Sequence, residues 1–259
     1  MVTKTELMKL SYFDLLSPEP IYIQNVGGII SPTLRDISLL GYDTYQYYLT
    51  ILSMDLKTYL TITGYSENYD LLSDKEKSQI NVFELLISNA QSCALLQNIL
   101  NFFIRENVQY LSDYNGFIVQ NDNKNVGIIT KDNYDLLCGL ICWRNCIKSN
   151  QQEDLSKVKS KKALEIMKKL QKNRADKSKQ TKADKNMELG NIISAVANKS
   201  PSLNILNIWN LTIFQVWDCF SRLSNNSIYA IQSMSVAAWG NKDNYFDANS
   251  WFKRIETDN

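Results

Sequence analysis

The chain contains no histidine. Histidine is the side chain most often used as a general base near neutral pH, and it is the commonest metal ligand in proteins. Its absence excludes Ser-His-Asp triads, Cys-His pairs and every zinc site that needs histidine. Long apolar runs are also missing, because no run approaches the roughly 20 residues that span a bilayer, and none follows Met1. We therefore expect a soluble, unsecreted protein.

Recognisable catalytic and cofactor motifs are missing as well. The Gly27-Gly28 pair has neither the glycine-rich dinucleotide fingerprint nor a phosphate-binding lysine behind it. The carboxylates Asp14, Glu19 and Asp36 are scattered, and no motif pairs them. We predict a protein that is not an enzyme, with no catalytic residue, no cofactor and no metal site.

Three of the five cysteines are close together, at Cys138, Cys142 and Cys146. Their C-x3-C-x3-C spacing differs by one residue from a pattern that holds iron-sulfur clusters, so metal binding has to be weighed. On a helix, neighbouring sulfurs would lie about 5 to 6 Å apart and the outer pair about twice that, which is too far for one ion. Because the run is also apolar, packing in a core is the favoured interpretation, with the thiols reduced.

Charge is concentrated in residues 155–187, which hold eleven lysines and Arg174 against three carboxylates. The segment has a net charge of +9, so with the whole chain at +1 the remainder carries −8. We interpret residues 151–187 as a basic helical connector that is solvated or docks on an acidic protein, and nucleic-acid binding through phosphates is the alternative. The cations assigned to this connector site are Lys157, Lys161, Lys162, Lys168, Lys169, Lys172 and Arg174.

The composition, with 44% hydrophobic and 21% charged residues, is that of a folded protein. The predicted fold is mainly α with a small β-hairpin component, in two domains joined by the Lys-rich helical connector. Residues 1–150 form an α+β domain with a β-hairpin near 116–130, residues 151–187 the connector, and residues 188–259 a small all-α domain. A second short hairpin or turn is predicted around Gly27-Gly28.

Helix boundaries follow from capping residues and from apolar spacing. Ser73 and Glu76 form a predicted capping box, and Thr212 and Gln215 form another. The predicted helices are 32–40, a broken helix 43–64, one from the Ser73 box toward 89, 90–110, one capped by Asp132 that runs through 147, 187–198, two that meet near 210 within 203–223, 227–239 and 247–255.

Aromatic residues crowd the C-terminal region, where most of them should fill the core of a small helical domain. A minority left exposed would form a groove for an apolar partner helix, since aromatic anchors dominate such interfaces. Phe214 and Cys219 lie off the main apolar spacing and are predicted to face a partner. The complete predicted partner-binding set is Trp209, Phe214, Trp217, Cys219, Phe220 and Trp239.

Five stretches carry a family resemblance: YFDLLSPEPIYI, SPTLRDISLLGYDTYQYYLTILSMD, NMELGNIISAVANKS, LNILNIWNLTIFQVWDCFSRLSNNSI and VAAWGNKD. Together they resemble proteins encoded in the structural-gene modules of tailed bacteriophages and prophages of Gram-positive bacteria. Some of those proteins look similar to tail assembly chaperones, which hold the tape measure protein until the tail tube polymerises around it. The resemblance implies a helical binding protein in the host cytoplasm whose partner is the tape measure protein, or alternatively a tail, baseplate or connector component of the virion.

Overall fold

The computed structural model describes residues 10–77, 79–122, 124–147, 185–241 and 246–254. The chain divides into two compact units. The first unit contains Met1–Ser149 together with Trp209–Gln215, and the second contains Asn150–Ile208 and Val216–Asn259. Over these described residues the fold is mainly α with a small β component, as the sequence predicts, and the strands form two antiparallel sheets.

The first unit begins with short helices and a hairpin, and it continues through a helical region into a three-stranded sheet and a last helix. Its strands are β1 (Ile21–Ile23), β2 (Gly27–Ile29), β3 (Asn107–Leu111), β4 (Gly116–Asn121) and β5 (Lys124–Ile129). Its helices are α1 (Tyr12–Leu16), α2 (Leu34–Leu40), α3 (Tyr42–Leu52), α4 (Leu56–Thr63), α5 (Ser66–Asp70), α6 (Asp74–Lys77), α7 (Val82–Ile87), α8 (Ala90–Phe103) and α9 (Lys131–Arg144).

The core of the first unit lies where α8 and α9 pack on the sheet β3-β4-β5 and on neighbouring helices. Both helices place apolar residues three and four positions apart, so that each buries one continuous side. Side chains with no exposed surface meet there: Val26, Ile29, Leu96, Ile99, Leu100, Phe103, Phe117, Val119, Ile129, Leu137 and Ile141.

The outer edge of β3 is closed by side chains of α8. The Asn101 amide accepts a hydrogen bond from the Val108 N–H at 2.9 Å and donates one to the Val108 carbonyl at 2.8 Å. Gln97 accepts from the Tyr110 N–H at 2.8 Å. These bonds occupy edge groups that could otherwise pair with a strand of another molecule.

A close contact joins the β1-β2 hairpin to β5. The Ile128 N–H donates to the Asn25 carbonyl at 2.8 Å, and Asn25 adopts a left-handed conformation with φ 62°. A Cβ atom at Gly127 would overlap that same carbonyl oxygen, so only glycine permits the approach.

The second unit contains α10 (Leu189–Lys199) and most of the long helix α11 (Ile213–Trp239). Four apolar residues of α10 are buried: Ile192, Ile193, Val196 and Ala197. Short 3-10 turns lie at Lys185–Met187, Ile208–Asn210 and Ser250–Phe252. In the part of the chain that the structure describes, no helix combines the length and the apolar character needed to cross a membrane.

Several predicted elements agree with the structure. The hairpin near 116–130 forms from β4 and β5, and the earlier hairpin forms with its turn before Gly27. The broken helix 43–64 appears as α3 and α4, separated by an Asp55 N-cap and ended by left-handed Gly64. Both predicted capping boxes are present, since Ser73 and Glu76, and likewise Thr212 and Gln215, exchange hydrogen bonds.

Other predicted boundaries were wrong. The helix predicted over 90–110 ends at Phe103, because β3 pairs with β4 along residues whose β-branched and aromatic side chains suit a strand. The helix predicted from the Ser73 box to 89 is interrupted, and Asn81 caps α7 separately. The helix predicted over 32–40 begins two residues later, as α2 at Leu34 after the N-cap Thr33. The Leu34 N–H donates to the Leu211 carbonyl at 2.8 Å.

At the C-terminal side, α11 is one continuous helix where two were predicted. At the boundary predicted between them, the Ser227 hydroxyl donates to the Leu223 carbonyl at 2.6 Å within the helix. A helix over 247–255 is not observed in the described residues 246–254, which hold the 3-10 turn Ser250–Phe252. The division into domains 1–150, 151–187 and 188–259 stays a prediction, because residues 148–184 lie outside the described part.

Candidate functional site

The most distinctive surface of the described chain is an apolar stripe on α11. Its residues recur at alternating steps of four and three, which places them on one side of the helix. They are Ile213, Trp217, Phe220, Ser224, Ser227, Ile231, Met234 and Ala238. The portion from Ser224 to Ala238 is called here the open seam, because Ile231 and Met234 in it are 66% and 64% exposed.

Apolar residues also flank the open seam. Ile228 is 51% exposed and Trp239 is 78% exposed, whereas Ile213 at the start of the stripe is buried. The same helix face therefore changes along its length from a packed surface to an exposed one. An exposed row of large apolar side chains on an ordered helix indicates a binding surface.

The open seam lies in a part of α11 without charge. Residues 223–240 contain no Asp, Glu, Lys or Arg, and their polar members are serine, asparagine, glutamine and tyrosine. An ordinary solvated helix face carries charges, whereas the centres of protein interfaces are depleted in them. The composition of this segment is therefore that of an interface.

The C-terminal segment 246–254 packs on the other side of α11. The ring of Phe246 lies 5.3 Å from that of Tyr229, and Nη1 of Arg222 donates to the Lys253 carbonyl at 2.8 Å. Arg222 and Tyr229 are seven residues apart and point away from the open seam, because each residue turns the helix by about 100°. These contacts thus hold α11 from behind and leave the open seam facing outward.

The structure places the predicted partner-binding residues in different surroundings. Phe214 is buried in the first unit, where its ring meets that of Tyr12 edge-on at 6.1 Å. Trp209 belongs to the same unit and is half-buried. In the second unit, Trp217 and Phe220 form an edge-to-face pair at 6.0 Å.

The remaining predicted members also belong to the second unit. Cys219 is half-buried, and Trp239 is the most exposed of the predicted set. Sequence reasoning did not single out Ile228, Ile231 and Met234. The signal for them was present, because the four-three spacing continues to Ala238 and the charge-free segment coincides with it.

The cysteine cluster does not form one helical row. Cys138 and Cys142 are buried on α9, whereas Cys146 lies after the end of the helix in a left-handed conformation with φ 58°. Burial raises the pKa of Cys142 to about 11 and holds the pKa of Cys138 well above its usual value. Both thiols are therefore neutral core groups at neutral pH rather than thiolate ligands or nucleophiles.

A metal site is not apparent in the described ranges. No group of three or more Cys, Asp or Glu side chains among those residues is placed to hold an ion.

Since the cations of the predicted basic connector, from Lys157 to Arg174, lie outside the described residues, acidic-protein docking and nucleic-acid binding there both stay predictions.

A buried arginine ties the first unit together and was not predicted. Arg144, at the end of α9, donates through Nη1 to the Ile29 carbonyl at 2.8 Å, and through Nη2 to the carbonyls of Ser17 and Glu19 at 2.8 and 3.0 Å. Its burial lowers the guanidinium pKa, and nearby Asp14 opposes that shift. Because all three acceptors are backbone atoms, no motif in the sequence points to this role.

A polar contact next to it joins α3 to the end of α9. The Tyr45 hydroxyl donates to Oδ1 of Asn145 at 2.8 Å, and Asn145 in turn donates to the Ile141 carbonyl at 2.7 Å. Burial raises the pKa of Tyr45 well above its usual range. This contact and Arg144 explain the polar groups at the end of α9 as structural.

Comparison with known protein families gives a match that covers the region of the open seam. Residues 177–256 match the family model described as YomV second domain, and this stretch is less than a third of the chain. The match indicates a phage-associated protein. Helix α10 and the open seam both lie inside the matched range. Neither the curated proteins nor the solved structures give a match to the chain.

Proposed function

We propose that the chain is a non-enzymatic phage morphogenesis protein that binds apolar helices of the tape measure protein, in the manner of a tail assembly chaperone. The open seam of α11 is the surface that takes the partner helix. Binding is reversible and needs no covalent step, and it takes place in the host cytoplasm before the tail is complete.

The observation that carries this proposal is the exposed, charge-free face of an ordered helix. Ile231 and Met234 keep about two thirds of their surface in water, which leaves apolar area that a second helix can cover. The surface tolerates different partner sequences, because it offers apolar side chains and small serines rather than fixed charges. Such tolerance suits a protein that covers a long partner at many points.

The phage-type family match supports the biological setting. It spans the residues that carry the open seam, and the part of the first unit that it includes is Trp209–Gln215. A tape measure protein exposes long apolar helical faces before assembly, and these faces aggregate unless they are covered. A helper with a single exposed apolar helix can cover them.

The test is co-expression of the chain with the tape measure protein encoded by the same phage. We expect the unmodified chain to raise the soluble fraction of the tape measure protein and to co-purify with it. Ile231→Lys should abolish both effects, since it places a charge in the middle of the open seam. Gln232→Lys adds the same charge one residue away, beside the seam, and should behave like the unmodified chain.

Two results would contradict this function. Equal co-purification of Ile231→Lys and Gln232→Lys would show that the open seam does not bind the tape measure protein. Stoichiometric recovery of the chain in mature particles would instead show a virion component, either of the tail, the baseplate or a connector. Absence from purified particles, together with loss of tail assembly when Ile231→Lys replaces the natural chain, is the expected result.

A further inference from the structure

We propose that, in the free protein, the open seam is covered by the open seam of a second copy of this chain, in an antiparallel helix pair. The pair has a two-fold axis at the level of residue 229 of α11. This inference concerns the protein alone, and it stands whether or not the tape measure protein is the partner.

The first argument is the order of large and small residues along the stripe. In the antiparallel pair, Phe220 faces Ala238, Ser224 faces Met234, and Ser227 faces Ile231. Each layer then contains one large and one small side chain, and each of these layers occurs twice. Facing large residues with small ones is what lets helix layers interlock without gaps or crowding.

The residues beside the stripe fit the same arrangement. Near the axis, Ile228 approaches Ile228 of the second copy and Ala230 approaches Ala230, while Leu223 approaches Ala237. These four flanking residues are all apolar, so their contacts in the pair bury no polar side chain. A parallel pair would instead place Ser224 on Ser224 and Ser227 on Ser227, which leaves two thin layers beside two thick ones.

Electrostatics also favour a second copy. The 18 residues 223–240 carry no charge, so two copies of the open seam meet without like-charge repulsion. The whole chain has a net charge of only +1, which gives little long-range repulsion between copies. A charged heterologous partner would gain no complementary charge from this face.

The size of the surface is that of a reversible dimer. From Phe220 to Ala238 the helix extends about 28 Å, and two helices packed over that length bury on the order of 500 Å² per copy. The total of roughly 1,000 Å² lies at the lower limit of specific interfaces. A weak dimer of this kind protects the apolar face and still releases it to a partner with more contacts.

The closing experiment measures the mass of the purified full chain by sedimentation equilibrium over a range of concentrations. The monomer has a mass of 29.8 kDa, and we expect a concentration-dependent shift to twice that value. Ser224→Glu alone and Met234→Lys alone should each weaken the dimer at least ~10-fold, because each inserts charges into the pair. Circular dichroism checks that both variants, changed at exposed positions, keep the helix content of the unmodified chain.

The double variant decides the arrangement. Ser224→Glu combined with Met234→Lys places a carboxylate opposite an ammonium in two layers of the antiparallel pair, so we expect dimerisation within about threefold of the unmodified chain. In a parallel pair the same changes bring like charges together, and no recovery follows. Gln232→Lys is the matched control and should dimerise normally.

Each remaining outcome overturns the proposal. A chain that stays monomeric at every concentration has no such pair, and a dimer that Met234→Lys leaves unchanged uses a different surface. Single variants that dissociate without recovery in the double variant exclude the antiparallel register. None of these measurements uses the tape measure protein, so failure here is distinguishable from failure of the proposed function.

Discussion

Helices α9 and α11 are both apolar, but the first unit covers one and the second leaves much of the other exposed. On α9, Leu137 and Ile141 have no exposed surface, and polar groups at its end are held by hydrogen bonds. On α11, Ile231 and Met234 remain in water. The first unit therefore buries the apolar side of its helix in its own core, whereas the second leaves apolar side chains of its long helix exposed.

An arginine of each helix shows the same difference in burial. Arg144 is buried and serves three carbonyl groups, whereas Arg222 is partly exposed and donates to the Lys253 carbonyl. A buried charged side chain stabilises the fold only while its hydrogen-bond partners are present. Removing the buried arginine leaves its carbonyl acceptors buried without a donor. When a partly exposed arginine is removed, water can form hydrogen bonds with its former partners, so the loss of stability is small.

Replacing these arginines gives the largest expected contrast. Arg144→Ala should lower the free energy of unfolding by about 3–5 kcal/mol, since it removes three hydrogen bonds and leaves a cavity. Arg222→Ala should cost less than ~1 kcal/mol. Urea unfolding followed by circular dichroism measures both values. Equal effects of the two variants would mean that the first unit is not held by its buried arginine.

A pair of isoleucines tests the same contrast without charge. Ile141→Ala removes a fully buried side chain from α9 and should lower the free energy of unfolding by about 2–4 kcal/mol. Ile231→Ala removes a side chain that is 66% exposed and should cost less than ~1 kcal/mol in the monomer. The measurement is urea unfolding at a protein concentration below that of self-association. A large loss from Ile231→Ala would show that the open seam packs inside the folded chain.

Alkaline pH should weaken the first unit through its buried thiols. The pKa of Cys142 rises from an ordinary value of 9.0 to about 11 in the folded chain, because burial disfavours the thiolate. Between these values the unfolded chain binds fewer protons than the folded one, so the free energy of unfolding falls as the pH rises. This thiol alone accounts for roughly 2–3 kcal/mol by pH 11.

The measurement is urea unfolding at pH 8 and at pH 10.5 for the unmodified chain and for Cys142→Ala. Between the two pH values, the free energy of unfolding should fall less for the variant than for the unmodified chain. At pH 8 the variant is already less stable, because the substitution removes a buried side chain. Cys219→Ala is the control in the second unit, where the thiol is only half-buried, and it should change the pH dependence less. An identical pH dependence for the Cys142→Ala variant and the unmodified chain would contradict the assignment.

Local signals predicted much of the fold. Capping boxes such as Ser73 with Glu76, the left-handed Gly64 and the β4-β5 hairpin were recognisable, because each depends on residues within a few positions of one another. Features that depend on distant residues were not. The strand β3 exists because β4 pairs with it, and α2 starts late because Leu34 donates to Leu211.

The candidate site was only partly predictable for the same reason. The apolar spacing on α11 indicated a helix-packing surface, but it could not tell which part the fold would cover. Phe214 became buried against Tyr12, which is distant in sequence, while Ile231 and Met234 remained exposed. The absence of charge over 223–240 was the one local sign that this exposed part of the helix differs from an ordinary solvated helix face.

The smallest expected effect concerns the residues that end the two helices. The left-handed position after α9 is held by Cys146 with φ 58°, whereas α11 is followed there by Gly240 with φ 79°. Left-handed conformation costs a residue with a side chain about 1–2 kcal/mol, and glycine avoids that cost but loses more chain entropy on folding.

Cys146→Gly should therefore raise the free energy of unfolding by about 0.5 kcal/mol, and Gly240→Ala should lower it by about 1 kcal/mol or less. A Cβ at Gly240 would meet no atom within 4 Å, so the backbone alone accounts for its effect. Thermal unfolding of both variants checks the opposite signs, and destabilisation by Cys146→Gly would show that the cysteine side chain itself contributes to the end of α9.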